Sequence, residues 1–202
     1  MADLFADKAK DWDVNEMVRA LSNGIGAALK ENVVFNEQMQ VLDFGAGTGL
    51  LTSHVAANVA KVTAVDVSES MLEQLMEKTE LKDKVETVCQ DITAEALDRE
   101  FDLIISAMAM HHVEDTDNML QSFAKHLKPG AKVALADLDK EDGSFHPEDI
   151  EGVYHDGFER EDLRAKLESA GFSAVEFMTA HTVDKGEKVY PVFLVIAVKG
   201  RA

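Results

Sequence analysis

Val41-Leu42-Asp43-Phe44-Gly45-Ala46-Gly47-Thr48-Gly49 joins a short apolar run to a loop with glycine at every second position. The run reads as a buried β-strand, and a loop so poor in Cβ atoms at a strand's carboxyl end lets backbone approach a ligand closely. Spacing excludes two phosphate cradles. A dinucleotide fingerprint starting at Gly45 needs glycine at position 50, which holds Leu50, and no Gly-Lys-Ser/Thr follows to make a Walker loop. Asp43, just before the loop, repels a pyrophosphate and attracts a cationic ammonium or sulfonium. Asp66 ends the next apolar run, 21 residues beyond Gly45. A carboxylate there can accept hydrogen bonds from both ribose hydroxyls of an adenosine. A nucleoside without phosphate fits both clues.

Outward from this stretch, short Val, Ile and Leu-rich runs alternate with helical patterns, as βαβ units of a parallel sheet do. Strands are expected at Gln40 to Phe44, Lys61 to Val65, Val85 to Cys89, Phe101 to Ser106 and Lys132 to Ala136, buried on both faces. Met17, Val18, Leu21, Ile25, Ala28 and Leu29 recur at threes and fours, which predicts a first helix over Val14 to Lys30. Further helices are expected at Leu50 to Asn58, at Ser70 to Thr79 with Ser70 and Glu73 as a capping box, and at Thr116 to Lys128, ended by Pro129 and Gly130. A last helix, Glu159 to Ala170, is capped by Gly171. Phe172 to Thr182 and Val189 to Val198 flank Asp184, Lys185 and Gly186 as an antiparallel hairpin. The expected fold is α/β: a Rossmann-like, mostly parallel seven-stranded sheet with helices on both faces and a C-terminal antiparallel hairpin.

The 202 residues suffice for one domain, and no repeat or flexible linker divides them. Lys and Arg number 20 against 38 Asp and Glu, a net charge of −18 that argues against nucleic acid and anionic membrane partners. A single cysteine, Cys89, excludes an internal disulfide and a thiolate zinc cluster. It reads as a small buried hydrophobe in its strand. The start is charged and no apolar run reaches the roughly 18 to 20 residues of a membrane span, so a soluble, unexported, cytoplasmic protein is expected.

With these residues in register, the chain resembles the class I S-adenosylmethionine-dependent methyltransferases. Asp43 to Gly49 looks like the first motif of that family, Val65-Asp66-Val67-Ser68-Glu69-Ser70-Met71-Leu72 like its second and Gln90-Asp91-Ile92 like its third. Phe101 through His111-His112-Val113 is similar to the fourth, and Leu127-Lys128-Pro129-Gly130 to the turn after the following helix. Phe44 and Ala131 are mild departures, at positions where the family often has a smaller or β-branched residue and a glycine. The resemblance implies S-adenosylmethionine as cofactor, with S-adenosylhomocysteine as product, held by Asp43, Gly45, Ala46, Gly47, Gly49, Asp66, Val67, Met71, Asp91, Ile92 and Ala107. It also implies that an opening aromatic segment with Phe5, Lys8, Ala9 and Trp12 folds over the methionine end. The flavour is that of the small-molecule branch with the ubiquinone and menaquinone biosynthesis enzymes, which leaves the acceptor open.

Four parts of one domain follow: an N-terminal helical lid segment (1–35), a cofactor-binding core (36–138), a substrate loop (139–158), and a helix with the hairpin (159–202). His111 and His112 follow a strand end at the sheet edge where ligands bind, and either is a candidate general base, with His146 of the long loop in reserve. Met108 and Met110 read as packing. Asp137, Asp139, His146 and His155 have metal-compatible side chains without recognisable ligand spacing, so no metal is expected. The expected reaction is direct in-line methyl transfer to a small-molecule acceptor. A non-catalytic cofactor-binding regulator and a methyltransferase of a basic protein are the alternatives.

Overall fold

A computed structural model of the chain describes residues 3–147 and 150–201. Seven strands form one sheet: β1 (Gln40–Phe44), β2 (Lys61–Asp66), β3 (Val85–Cys89), β4 (Phe101–Ala107), β5 (Leu127–Leu138), β6 (Phe172–Asp184) and β7 (Val189–Lys199). Their order across the sheet is β3-β2-β1-β4-β5-β7-β6. The first five run parallel, while β7 lies antiparallel between β5 and β6 and closes the expected hairpin. Strand order reverses at β1, which sits between β2 and β4, and such a switch point opens a crevice at the carboxyl ends of the strands.

Alternating side chains of the central strands feed two cores. Val41, Val62, Leu103, Ile105, Ala134 and Ala136 pack with α1 (Glu16–Asn32), α2 (Leu50–Val55) and α3 (Glu69–Glu77). Leu42, Val65, Ile104, Val133 and Leu135 face α4 (Thr116–Lys125) and α5 (Arg160–Ser169) on the other side. Helix α1 starts at Asn15, whose side chain accepts from the N–H groups of Met17 and Val18, and it buries Leu21, Ile25 and Leu29. That is the predicted face, with Met17 left exposed at its rim.

Five local expectations need correction. Helix α4 ends at Lys125, and β5 begins at Leu127 and runs through Pro129 and Gly130. Buried His126 turns the chain early: its Nδ1–H donates to Ser122 O at 2.7 Å, its Nε2 accepts Leu97 N–H at 2.9 Å and its carbonyl accepts Phe101 N–H at 2.8 Å. Pro129 then falls where β4–β5 pairing skips from Leu127 to Lys132, so its missing N–H breaks no ladder bond. Helix α3 is capped by Ser68, which accepts Met71 N–H at 3.2 Å, and Ser70 lies inside the helix with its N–H donating to Asp3. Cys89 is exposed, since β3 is an edge strand of which only Val85 is fully buried. For the same reason burial on both faces fails at β3. Helix α2 ends at Val55 and continues as a 3-10 turn, Ala56–Asn58.

Candidate active site

The crevice at the switch point is floored by the glycine loop. Gly45 and Gly47 have φ of +65° and +53°, where L side chains are strained. A Cβ on Gly45 would come within 2.3 Å of the Ala109 methyl, whereas one on Gly47 would meet nothing within 4 Å. The backbone face at Gly47 is therefore open to a ligand. Asp66 stands beside it. One of its carboxylate oxygens accepts Gly47 N–H at 2.7 Å and the other accepts Ser68 N–H at 2.9 Å. Each oxygen keeps a lone pair, so the carboxylate fits a ribose diol. Burial raises Asp66 above the usual carboxylate range, against the two backbone donors.

Asp43 is wholly buried and accepts the Thr52 hydroxyl proton at 2.5 Å. Burial pushes its carboxyl up to about 7, the Thr52 bond resists, and the charge of Asp66 adds to the rise. A cation in the crevice would favour the ionised carboxylate. Ala46, Gly49, Met71 and Ile92 are buried around the loop, with Ala107 half-buried at the end of β4 and Val67 exposed at the rim. Asp91 is exposed and accepts Thr93 N–H and Oγ1–H at 2.9 and 2.7 Å through one oxygen, leaving the other for a ligand.

The N-terminal segment crosses this groove. Ala9–Val14 forms a 3-10 turn; the Thr48 hydroxyl donates to Asp13 at 2.6 Å, and Lys78 pairs with the same carboxylate at 2.6 Å. Phe5 meets Trp12 edge-on at 6.1 Å and His112 at 5.4 Å between ring centroids. Trp12 thus reaches the site through Phe5.

All three predicted histidines converge, joined by Asp137, whose catalytic potential the sequence reading passed over. His111 follows β4 and Asp137 lies near the end of the adjacent β5. His111 Nδ1–H donates to Asp137 Oδ1 at 2.7 Å, and Asp137 Oδ2 accepts the backbone N–H of His111 at 3.2 Å. This bond places the mobile proton on Nδ1 and leaves Nε2 as an acceptor, buried and without a partner among the described residues. Burial disfavours the imidazolium, but the charge and hydrogen bond of Asp137 outweigh it, so His111 rises above the ordinary 6.5. His112 donates from Nδ1 to Gly152 O at 2.6 Å; burial first, then His111, lowers it to about 4. Burial and the two neighbouring imidazoles also hold His146 down at about 4. The His111 ring centre lies 4.2 Å from that of His112 and 5.0 Å from that of His146. Met110 is buried, whereas Met108, just before the cluster, takes φ 55°, a conformation that costs a side-chain-bearing residue about 1 kcal/mol or more.

The 139–158 loop is strapped down on both sides. Tyr154 N–H donates to His111 O at 2.9 Å and His155 Nε2–H to Val113 O at 2.9 Å. From the β6–β7 turn, Lys185 donates to Phe145 O and lies 4.1 Å over the Phe145 ring, Lys188 pairs with Asp142 at 2.6 Å, and the Tyr190 and Ser144 hydroxyls meet at 2.7 Å. Asp139 is held by Arg160 through two 2.7 Å bonds. Asp137, Asp139 and His155 therefore serve separate partners, and among the described residues no three His, Cys, Asp or Glu side chains converge on an ion site.

Sequence comparison gives this architecture its class. Residues 41–130 match the methyltransferase domain family, and the chain carries a class I S-adenosylmethionine-dependent methyltransferase domain, whose cofactor is S-adenosylmethionine. It is 34% identical over 151 residues to the ubiquinone/menaquinone biosynthesis C-methyltransferase of Shewanella sediminis, covering 69% of this chain and 59% of that protein. It is 31% identical over 141 residues to the ubiquinone biosynthesis O-methyltransferase of Coxiella burnetii, covering 67% and 60%. The chain thus spans less than two thirds of the length of these curated relatives. In three dimensions it superposes on DhpI, solved with S-adenosylhomocysteine, with a TM-score of 0.79 at 20% identity over 99% of this chain and 96% of that one. No helix among the described residues is long and apolar enough to cross a membrane.

Proposed function

We propose that the protein transfers a methyl group to a small-molecule acceptor by direct in-line displacement, with His111 as general base. The observation that carries this reading is the buried Asp137–His111 pair with its unpartnered Nε2, set beside the glycine loop. A protein that only bound the cofactor would have no use for such a pair. When bound, the cofactor supplies an activated methyl on a positively charged sulfur. Asp66 would hold the ribose, Asp43 in its ionised form would face the cationic end, and the open backbone at Gly47 would admit the cofactor's close approach. Asp91 and Ile92 would flank the adenine. Phe5 and Trp12 would exclude water, which competes for the methyl. His111 Nε2 would take the proton released by the acceptor, and Asp137 would stabilise the resulting imidazolium, a contribution of the order of 10² to 10⁴ in rate. His112 and His146, neutral near pH 7, would border the acceptor. A soluble, cytoplasmic protein without a nucleic-acid partner belongs to the same reading, supported by the charge of −18.

Calorimetric titration with S-adenosylmethionine and S-adenosylhomocysteine tests it, with Asp66→Ala alongside. Micromolar binding that disappears in the variant supports the assignment. Absence of binding to the unaltered protein refutes it.

A further inference from the structure

Two imidazole nitrogens in this site are sealed from solvent and have no hydrogen-bond partner among the described residues: Nε2 of His111 and Nε2 of His146. The rings that carry them are centred 5.0 Å apart and tilted by 39°. A buried polar atom without a partner costs about 1–3 kcal/mol, so the pair marks a place where a polar group is missing. Nε2 of His111 is an acceptor, because its Nδ1 already donates to Asp137. His146 is neutral, and its ring carries one N–H that Nε2 can present as a donor. Two aromatic rings border the cluster. Phe145 meets the His146 ring edge-on at 4.9 Å, and Phe5 meets that of His112 at 5.4 Å.

We infer that the acceptor's reacting group is a hydroxyl on a flat apolar body, seated between these two nitrogens; the inference rests on the methyl-transfer reading above. One hydroxyl oxygen donates its proton to His111 Nε2 and accepts from His146 Nε2–H, satisfying both orphans at once. A carbon acid has no polar hydrogen to give, a thiol is a weak partner, and an aromatic amine donates but accepts poorly because its lone pair enters the ring. In the reaction the hydroxyl proton passes to His111 Nε2. The oxygen pair then forms the bond to the methyl carbon as the carbon–sulfur pair stays on sulfur, so an O-methyl product and neutral S-adenosylhomocysteine result. His146 is then a specificity-determining contact and His111 the base.

The test uses the full chain saturated with S-adenosylhomocysteine, so that binding is read without turnover, with phenol, aniline and toluene as probes of one shape. Calorimetry gives affinities, and ¹⁵N NMR of the imidazole nitrogens reports which atoms respond. Phenol is expected to bind roughly five- to tenfold more tightly than aniline, which makes only the donor bond, and more tightly still than toluene, which makes neither, at about one net hydrogen bond per step. It should also shift the Nε2 signals of both His111 and His146. His146→Phe removes one of the two bonds and should cut the preference for phenol over toluene several-fold, and His146→Gln, which keeps a polar nitrogen near the Nε2 position, should restore part of it. Equal affinities for phenol and toluene, preference for aniline, no response at either Nε2, or a preference untouched by His146→Phe overturns the inference. If S-adenosylhomocysteine itself fails to bind, the methyl-transfer reading falls first. Its binding with no preference for the hydroxyl sinks this inference alone.

Discussion

Replacing Asp43 by asparagine would change how the protein's stability depends on pH, and the size of the change follows from its burial. The carboxyl sits at about 7 in the folded chain against an ordinary 3.8, with Thr52 as its one side-chain donor among the described residues. Between those values the folded state keeps a proton that the unfolded chain releases, so stability falls as pH rises and levels off above the native value. At 1.36 kcal/mol per pH unit the whole penalty is about 4 kcal/mol, of which about 3 accumulates between pH 5 and pH 8. Asparagine keeps an oxygen for the Thr52 hydroxyl and never ionises, but buries an amide N–H₂ at about 1–3 kcal/mol. The parent already carries about 1.5 kcal/mol of the penalty at pH 5, so the variant should lie within about 1.5 kcal/mol of it there and be the more stable protein by pH 8. Urea unfolding of both, without cofactor, at intervals across that range measures the difference, in which the shared contributions of His111, His112 and His146 cancel. Curves that stay parallel would refute the argument. A cation bound near the ionised carboxylate should offset the penalty, so cofactor should stabilise the parent more at pH 8 than at pH 5, and the variant by similar amounts at both.

Asp137→Asn should leave cofactor affinity unchanged and lower kcat by 10² or more, since the amide can hold His111 in the wrong tautomer. The parent's rate should climb with pH through a value above the ordinary 6.5, and the rising limb of any residual activity should move to lower pH once the carboxylate no longer opposes burial. Gly47→Ala should fold, at a cost of about 1–2 kcal/mol for a methyl at positive φ, but weaken cofactor binding in calorimetry at least tenfold, whereas Gly45→Ala should also lose stability through its clash with Ala109. Lys185→Met, which removes the hold on Phe145, should raise the acceptor KM several-fold and leave cofactor affinity alone, as steady-state kinetics would show.

Features encoded over a few neighbouring residues were legible in the chain. The glycine loop announces itself by spacing, β1, β2 and β4 by mostly apolar runs, and the hairpin by its turn residues. Even there boundaries moved: Ser68 rather than Ser70 caps α3, and buried His126, tied to Leu97 and Phe101, ended α4 before Pro129 could. The edge position of β3, which exposes Cys89, depends on strand order and no local pattern reports it. The acceptor side was only partly readable. His111, His112 and His146 stood out as residue types in the right places, yet the partner that defines His111 lies 26 residues on in the adjacent strand. A signal for it existed, since Asp137 is an acid between Ala136 and Leu138 in an otherwise apolar run, and a buried carboxylate there needs a donor.

The reversal of strand order at β1 also divides the work of the chain. Residues proposed to hold the cofactor come mainly from the ends of β1, β2 and β3, within positions 43–92, whereas those proposed to face the acceptor come from beyond β4 and from the 139–158 loop with its straps to the β6–β7 turn. Natural variation can then act on the two halves separately. Changes in the later segment can redirect which molecule is modified while the earlier one, constrained by an unchanging nucleoside, stays recognisable, so that a lineage built on this plan diversifies its chemistry by rewriting one flank of the sheet.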